Sequence, residues 1–350
     1  MFTIPSAKNI SVVVQGVMCS YTASVLQSIR RHLPQAEIVL STWKGQSLDG
    51  LEADFILQNE DPGGCVCSES GMLQNLNRQL VSTRNGVKTA TREYILKLRT
   101  DTLLTGNRFL SYWDQFPKRE EDFSVFSHRI LICSFYTRPA RWKKQAYLFH
   151  PSDWVSFGTK EDMLLLWDIP EVQEPDFSQF FMKDCQVKKS LNQNWQRLFP
   201  EQYFWLACLK KQGINTGVET QHDYSEDLAI LSNHYLHNNF LTLEYQDQFD
   251  IYNMKYKCKF CDSKIQHFRQ FLLFYKQNCD YNYKISVWSV YRELLEIEDD
   301  MDKIKFHIFR ILRHRRRPLE VLGQTFGIFY YMIMIVVKSL RNSYKLITFR

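Results

Sequence analysis

The amino-acid sequence predicts an α/β protein: an open, mostly parallel sheet flanked by helices, followed by a mainly helical C-terminal region. Three observations predict it. Short β-branched apolar runs alternate with amphipathic helical stretches at strand–helix–strand spacing, the pattern of a parallel sheet with crossover helices. Several of those runs stop abruptly at glycine or at charged residues, as strands do where they leave a sheet. Beyond about residue 225 the chain becomes rich in Tyr, Phe and Lys and the strand pattern fades.

Residues 10–15 (ISVVVQ) form a β-branched run closed by Gly16, which reads as a buried strand and a turn. Residues 21–33 are helical, with Val25, Leu26 and Ile29 on one side and Pro34 as the stop. A second strand begins at Glu37 and a third, short one covers residues 55–57; the Asn-Glu-Asp-Pro-Gly-Gly segment at 59–64 is a loop. A helix is expected over 71–85, with Leu73, Leu76 and Leu80 on its apolar face. Asn75, Arg78, Gln79 and Ser82 share a different face. Residues 94–98 (YILKL) make the next strand, running straight into Arg99-Thr100-Asp101. Strands at 130–135 and 154–157, a short helix at 162–167 and an irregular polar loop over 168–196 follow. A helix at 201–210 is entered through Pro200, a residue suited to a helix start. Farther on, helices are expected over 263–275 and 287–314; Pro318 ends the second.

The chain has 350 residues, 45% hydrophobic and 23% charged, so it is long enough for a large core and is not compositionally disordered. The 25 Phe, 18 Tyr and 8 Trp suit sugar stacking, lipid interfaces and large cores alike, so they do not choose a function. The net charge of +6 matters less than its distribution: residues 310–317 (RILRHRRR) hold five arginines, which points to an anionic partner. No RRM, KH or helix-turn-helix pattern accompanies them, so nucleic acid is not the expected partner. The N-terminus lacks a secretory pattern, and the nine cysteines lack the density of a disulfide scaffold. They read as reduced thiols of a cytoplasmic-facing protein. Cys65-Val-Cys67 and Cys258-Lys-Phe-Cys261 lack two further ligands at regular spacing, so zinc is not the expected reading.

In open α/β sheets ligands bind beyond the carboxyl ends of the strands. No GxGxxG, Walker lysine loop or GxSxG elbow is present. The strand-end candidates are Gln15-Gly16, Arg99-Thr100-Asp101 and His150-Pro151-Ser152-Asp153-Trp154, with Glu201 opening the later helix. Asp101 could hold a divalent metal against a diphosphate, or cap the next turn. Arg99 could pair with phosphate or be solvated. Ser152-Asp153 could serve a sugar, or a turn; Glu201 could be a general base, or complement the helix dipole.

The strings ISVVVQG, EIVLSTWKG, NEDPG, NLNRQLVSTRNG, YILKLRTD, HPSDWVSFG and PEQYFW occur in this order between Ile10 and Leu209. Together they resemble the WavE lipopolysaccharide-synthesis family. The resemblance implies a GT-A-like fold and a glycosyltransferase that moves a sugar from a nucleotide-sugar donor to a lipopolysaccharide core or related, lipid-linked glycan acceptor. On that reading residues 1–224 form the nucleotide-sugar and acceptor domain, and 225–350 a helical, basic and aromatic region. Gln15, Gly16, Asn75, Arg78, Arg99 and Asp101 become the donor-binding candidates. Glu201 and Asp153 become the catalytic candidates, and His150, Ser152 and Trp154 the acceptor-binding ones. GT-A enzymes carry a DxD-type motif that binds metal and diphosphate. Here Arg99 stands where its first aspartate would, leaving Asp101 as the candidate ligand for Mg or Mn. That departure favours the rival reading, a non-catalytic, membrane-bound assembly protein with a degenerate transferase domain. The stretch 321–337 is uncharged but diluted by Gly323, Gln324, Thr325 and Gly327 and bracketed by basic residues. It suits peripheral attachment to anionic lipid on the inner face of the cytoplasmic membrane rather than a span.

Overall fold

The computed structural model describes residues 4–66, 73–142, 145–183, 195–255, 265–285, 308, 325–330, 332, 333 and 336. Nearly all of the expected 287–314 helix, the arginine cluster at 310–317 and part of the 321–337 stretch lie outside the described residues, as do Cys67, Cys258 and Cys261.

The chain divides into two compact units, 1–255 and 256–350. The first alternates strands and helices. It runs β1 (Ile10–Gln15), α1 (Thr22–His32), β2 (Glu37–Trp43), β3 (Phe55–Asn59), β4 (Cys65–Val66), β5 (Leu73–Gln74), α2 (Leu76–Thr89), β6 (Tyr94–Arg99) and β7 (Thr102–Leu104). It continues with β8 (Ile130–Cys133), β9 (Arg141–Trp142), β10 (Gln145–Ala146), β11 (Ser156–Thr159), α3 (Lys160–Trp167), α4 (Pro200–Lys211), α5 (Glu226–Asn239), β12 (Phe240–Leu243) and β13 (Ile251–Asn253). Seven strands form one sheet in the order β12-β8-β11-β6-β1-β2-β3. Every pairing is parallel except those of β11, which runs antiparallel to both β6 and β8. This is the open, mostly parallel, helix-flanked sheet that the sequence predicts.

Every residue of β1 and β2 is buried, as continuous apolar runs in a doubly covered parallel sheet require. Side chains alternate across the sheet. On one face Val13, Val39, Ile95 and Ile130 join Leu80 of α2, Trp167 of α3 and Trp205 of α4 in one core. On the other, Phe157 packs among Tyr94, Phe109 and Trp113, and Phe109 stacks on Phe249 at 5.2 Å.

Helix α2 lies close on the sheet at Gly86. A Cβ there would sit 2.4 Å from Val13 Cγ1 and 3.3 Å from Ser41 Cβ. Gly86→Ala should therefore destabilise the protein by about 1–3 kcal/mol, because overpacking outweighs the helix propensity that alanine adds. Urea unfolding measures it, and unchanged stability would mean that α2 does not pack this closely.

The expected 71–85 helix begins only at Leu76, because Leu73 pairs with Val66 as a short strand instead. The change of character near residue 225 falls inside the sheet-bearing unit. α5 and β12 follow it, and Phe240–Leu243 closes the sheet edge in parallel register with Ile130–Cys133. In the second unit the expected 263–275 helix is α6 (Phe268–Phe274), continued by a wider turn at Tyr275–Cys279, with Phe271 and Tyr275 buried. Residues 325–330 are helical. Among the described residues no helix is long and apolar enough to cross a membrane.

Candidate active site

A cavity of about 720 Å³ opens where β1, β2 and β6 end. The register that pairs Gln15 with both Ser41 and Arg99 sets these strand ends side by side. At Gly16 the backbone turns with φ +127°, a conformation glycine alone adopts freely, and a Cβ would stand 3.2 Å from Thr100 Oγ1. Gln15 is held from behind, its Oε1 accepting from Ser82 Oγ at 2.9 Å. Helix α1 starts beside the lining residue Tyr21, which brings the positive end of its dipole to the cavity.

All six donor-side candidates, Gln15, Gly16, Asn75, Arg78, Arg99 and Asp101, line this cavity. Two arginine–carboxylate forks dominate its polar wall. Arg78 donates to Asp61 through Nε and Nη2, each at 2.7 Å, and through Nη1 to Asn75 at 2.9 Å. The Arg78 hydrogen bonds hold the Asp61 carboxyl below its usual range. Arg99 donates through Nε and Nη2 to the two oxygens of Asp101, at 3.0 and 2.9 Å, and lies over the Trp154 ring at 4.6 Å. Asp101 Oδ1 also accepts from Asn253 Nδ2 at 3.0 Å and from Thr102 Oγ1 at 3.3 Å. Burial alone would raise the Asp101 carboxyl, but Arg99, Asn253 and Thr102 outweigh it and hold the group low. Asn253 arrives through β13, whose antiparallel pairing with β7 also brings Lys255 to the cavity.

Three donors thus crowd Asp101 Oδ1, and Oδ2 accepts from Arg99. Among the described residues no three His, Cys, Asp or Glu side chains converge to hold a metal. The residues present do not fit the Mg or Mn expected at Asp101, because the first partner a cation meets there is the guanidinium of Arg99.

The other expected residues lie behind the cavity wall. His150, Ser152 and Trp154 are all buried. Ser152 Oγ contacts Cys133 Sγ at 3.3 Å and accepts from Trp154 N at 3.3 Å; its own N–H donates to Thr137. Trp154 sits edge-on to Phe135 and stacked on Tyr136, so its ring supports Arg99 and is not open to a sugar. The structure buries all three residues expected to meet the acceptor and sets Trp154 against the Arg99 guanidinium. A turn sequence shows that residues leave a strand but not which way they fold back.

Beneath them is a buried charged cluster. Lys97 of β6, wholly enclosed, donates to the carbonyls of Asp153 and Trp154 and lies 4.8 Å from the Trp167 ring centroid. Burial pulls its pKa down to about 8 against the charge of Asp153. Gln79, a lining residue, donates to the same Asp153 carbonyl at 3.1 Å. Glu201 follows the lining residue Pro200 in the first turn of α4. Burial and the Asp153 charge push its carboxyl up to about 8, against Arg138 and Lys97. His150 is the opposite case: burial, then Arg138, hold it down to about 3, so its ring is neutral. Its Nδ1 faces the Tyr136 carbonyl at 3.1 Å and must carry the proton; Nε2 then turns a lone pair toward Glu201 Oε2, 3.8 Å away. Tyr136 and Phe149, which bracket this loop, both take left-handed backbone with φ 64° and 52°. The structure thus brings Glu201, Asp153 and His150 into one buried cluster.

Tyr21, Asp61 and Lys255 line the cavity without having been expected there, as do Trp43, Lys44 and Gln46, which belong to the end of β2 and to the loop after it, a segment the sequence reading sets near the nucleotide. Trp43-Lys44 ends β2 and was within reach of the strand-end rule that selected Gln15 and Arg99. Lys255 had no local signal, since its place depends on the β7–β13 pairing.

A family model described as WavE lipopolysaccharide synthesis matches residues 10–303. No curated protein matches the chain.

Proposed function

The chain belongs to the WavE lipopolysaccharide-synthesis family, and from that premise we propose that it is a glycosyltransferase, moving a sugar from a nucleotide-sugar donor to a lipopolysaccharide core or related surface glycan. The observation that carries this reading is the cavity at the strand ends. It has the size of a small-molecule site and lies where open α/β sheets bind ligands. Gln15 and Gly16 would take the nucleoside side and Arg99 and Arg78 the diphosphate. Glu201, next to the lining residue Pro200 and with its side chain 11% exposed, would act as general base: the acceptor hydroxyl gives it a proton as its oxygen bonds to the sugar's anomeric carbon. The bond from that carbon to the diphosphate breaks, and the electron pair leaves on the phosphate. Positioning and stabilisation of the departing charge would supply most of the acceleration.

The rival reading, an assembly protein with a degenerate transferase domain, draws on Arg99 in place of an aspartate. Thermal unfolding with nucleoside diphosphates separates the two, because a ligand of the folded state stabilises it by about 2.7 kcal/mol at 100 times its Kd. The transferase reading expects a rise in Tm with one nucleotide; no rise with any would support the assembly protein.

Attachment to an anionic membrane surface, on the cytoplasmic inner face, completes the proposal, since a lipid-linked acceptor is met there. Phe326, Phe329, Tyr330, Ile333 and Val336 are helical and exposed, and Arg315, Arg316, Arg317, Lys338 and Arg341 bracket them in sequence. Each basic residue near such a surface adds about 1 kcal/mol of attraction. Removing residues 319–350 should move the protein from the membrane pellet to the supernatant, and high salt should partly do the same to the full chain. A full-length protein already in the supernatant at low salt would contradict the attachment.

A further inference from the structure

We propose that this cavity holds the donor's diphosphate on its own side-chain cations, with no divalent ion between protein and phosphate, and that Asp101 is the residue that positions Arg99. The inference rests on the glycosyltransferase reading and goes further, to how the donor is gripped.

Three observations lead to it. The first is the state of Asp101, whose oxygens already accept from Arg99 twice and from Asn253 and Thr102. A divalent ion entering there would have to displace the guanidinium or share the carboxylate with it, and either arrangement sets two cations side by side in a largely buried place. The second is the charge of the wall. Among the described residues Lys44, Arg78, Arg99 and Lys255 line the cavity together with Asp61 and Asp101, and Lys44 is also paired with Glu60. The wall itself thus presents cationic side chains to a diphosphate ester, so a metal is not needed to bring positive charge there.

The third is the way the arginines are held. The Arg99 guanidinium is pinned in its plane by the Asp101 fork and on its face by Trp154 at 4.6 Å. Trp154 is itself wedged against Phe135 and Tyr136. Arg78 is fixed in the same manner by Asp61 and Asn75. A planar fork whose orientation is set before the ligand arrives loses little freedom on binding phosphate. The carboxylates thus aim the arginines, and the arginines meet the anion. Departing diphosphate would find its growing charge facing groups already in position.

The test is calorimetric titration of the full-length protein with UDP, GDP and dTDP, each in EDTA and in excess Mn²⁺ or Mg²⁺. Whichever nucleotide binds is expected to do so in EDTA, with an affinity that metal changes by less than about threefold. Arg99→Gln and Asp101→Asn should each weaken that EDTA binding about tenfold or more, the loss of one charge-assisted contact or of its alignment, and metal should not restore it. Binding that tightens tenfold or more on adding metal, with the gain lost in Asp101→Asn, would overturn the proposal while leaving the transferase reading intact. No binding of any nucleotide under either condition would overturn both. The metal dependence of the wild-type protein decides the question even if a variant fails to fold.

Discussion

Glu201→Gln is expected to cut kcat by about 10²–10⁴-fold while leaving donor binding largely unchanged, the range a positioned general base supplies. Glutamine keeps the shape of the side chain in its buried place but cannot take a proton. The pH profile gives a second signature. Burial and the neighbouring Asp153 push the Glu201 carboxyl up to about 8, so the basic form grows in as pH rises through that value. Turnover of the wild-type enzyme should climb over the same range, and the residual activity of the variant should not. Stability moves the opposite way. A carboxyl whose folded pKa lies above its ordinary value stabilises the fold fully below about pH 4.3, and that contribution is lost as pH rises through about 8. Above this range Glu201→Gln should therefore be more stable than the parent. If Glu201 merely complemented the α4 dipole, its loss would cost about 0.3–1 kcal/mol and turnover would be near normal.

Asp101→Asn is the second large effect. Without the carboxylate Arg99 loses its fork and keeps only the Trp154 face to orient it. A fall in kcat/KM of about 10²-fold or more is expected, comparable to removing one preorganised donor from a charge-stabilising site. Stability should fall by less than the about 3–5 kcal/mol of a fully buried broken pair, because the Arg99 side chain is 28% exposed. Steady-state kinetics with the correct donor measures the first and chemical denaturation the second. Wild-type turnover in this variant would remove Asp101 and Arg99 from the account.

Much of this was legible in the sequence because it is local. The runs ISVVVQ and YILKL are buried on both faces, so composition alone marks them as central strands. Gly16 and Arg99 then fall at strand ends, where an open α/β sheet exposes its ligand site. The same logic could not tell a lining residue from one behind the wall. His150, Ser152 and Trp154 follow a strand-end pattern too, yet hydrogen bonds to Tyr136 and Thr137 and aromatic packing on Phe135 turn them inward. Nor could it see β12, a four-residue strand whose partner Ile130–Cys133 lies far back in the chain. Asn253 and Lys255 were hidden for the same reason, since only the pairing of β13 with β7 carries them to Asp101. The Arg99–Asp101 fork spans two positions in sequence, but nothing local says that the two charges satisfy each other rather than a metal.

The most direct measurement of the central claim is a transfer assay with the full-length protein, UDP-, GDP-, CMP- and dTDP-sugars and a lipopolysaccharide-core acceptor. The account predicts that one diphosphate-linked donor class releases its nucleotide in step with labelled sugar appearing on the glycan, and that Glu201→Gln loses both together. A wild-type protein that neither binds nor turns over any of these donors, while still folded and seated on the membrane, would contradict it.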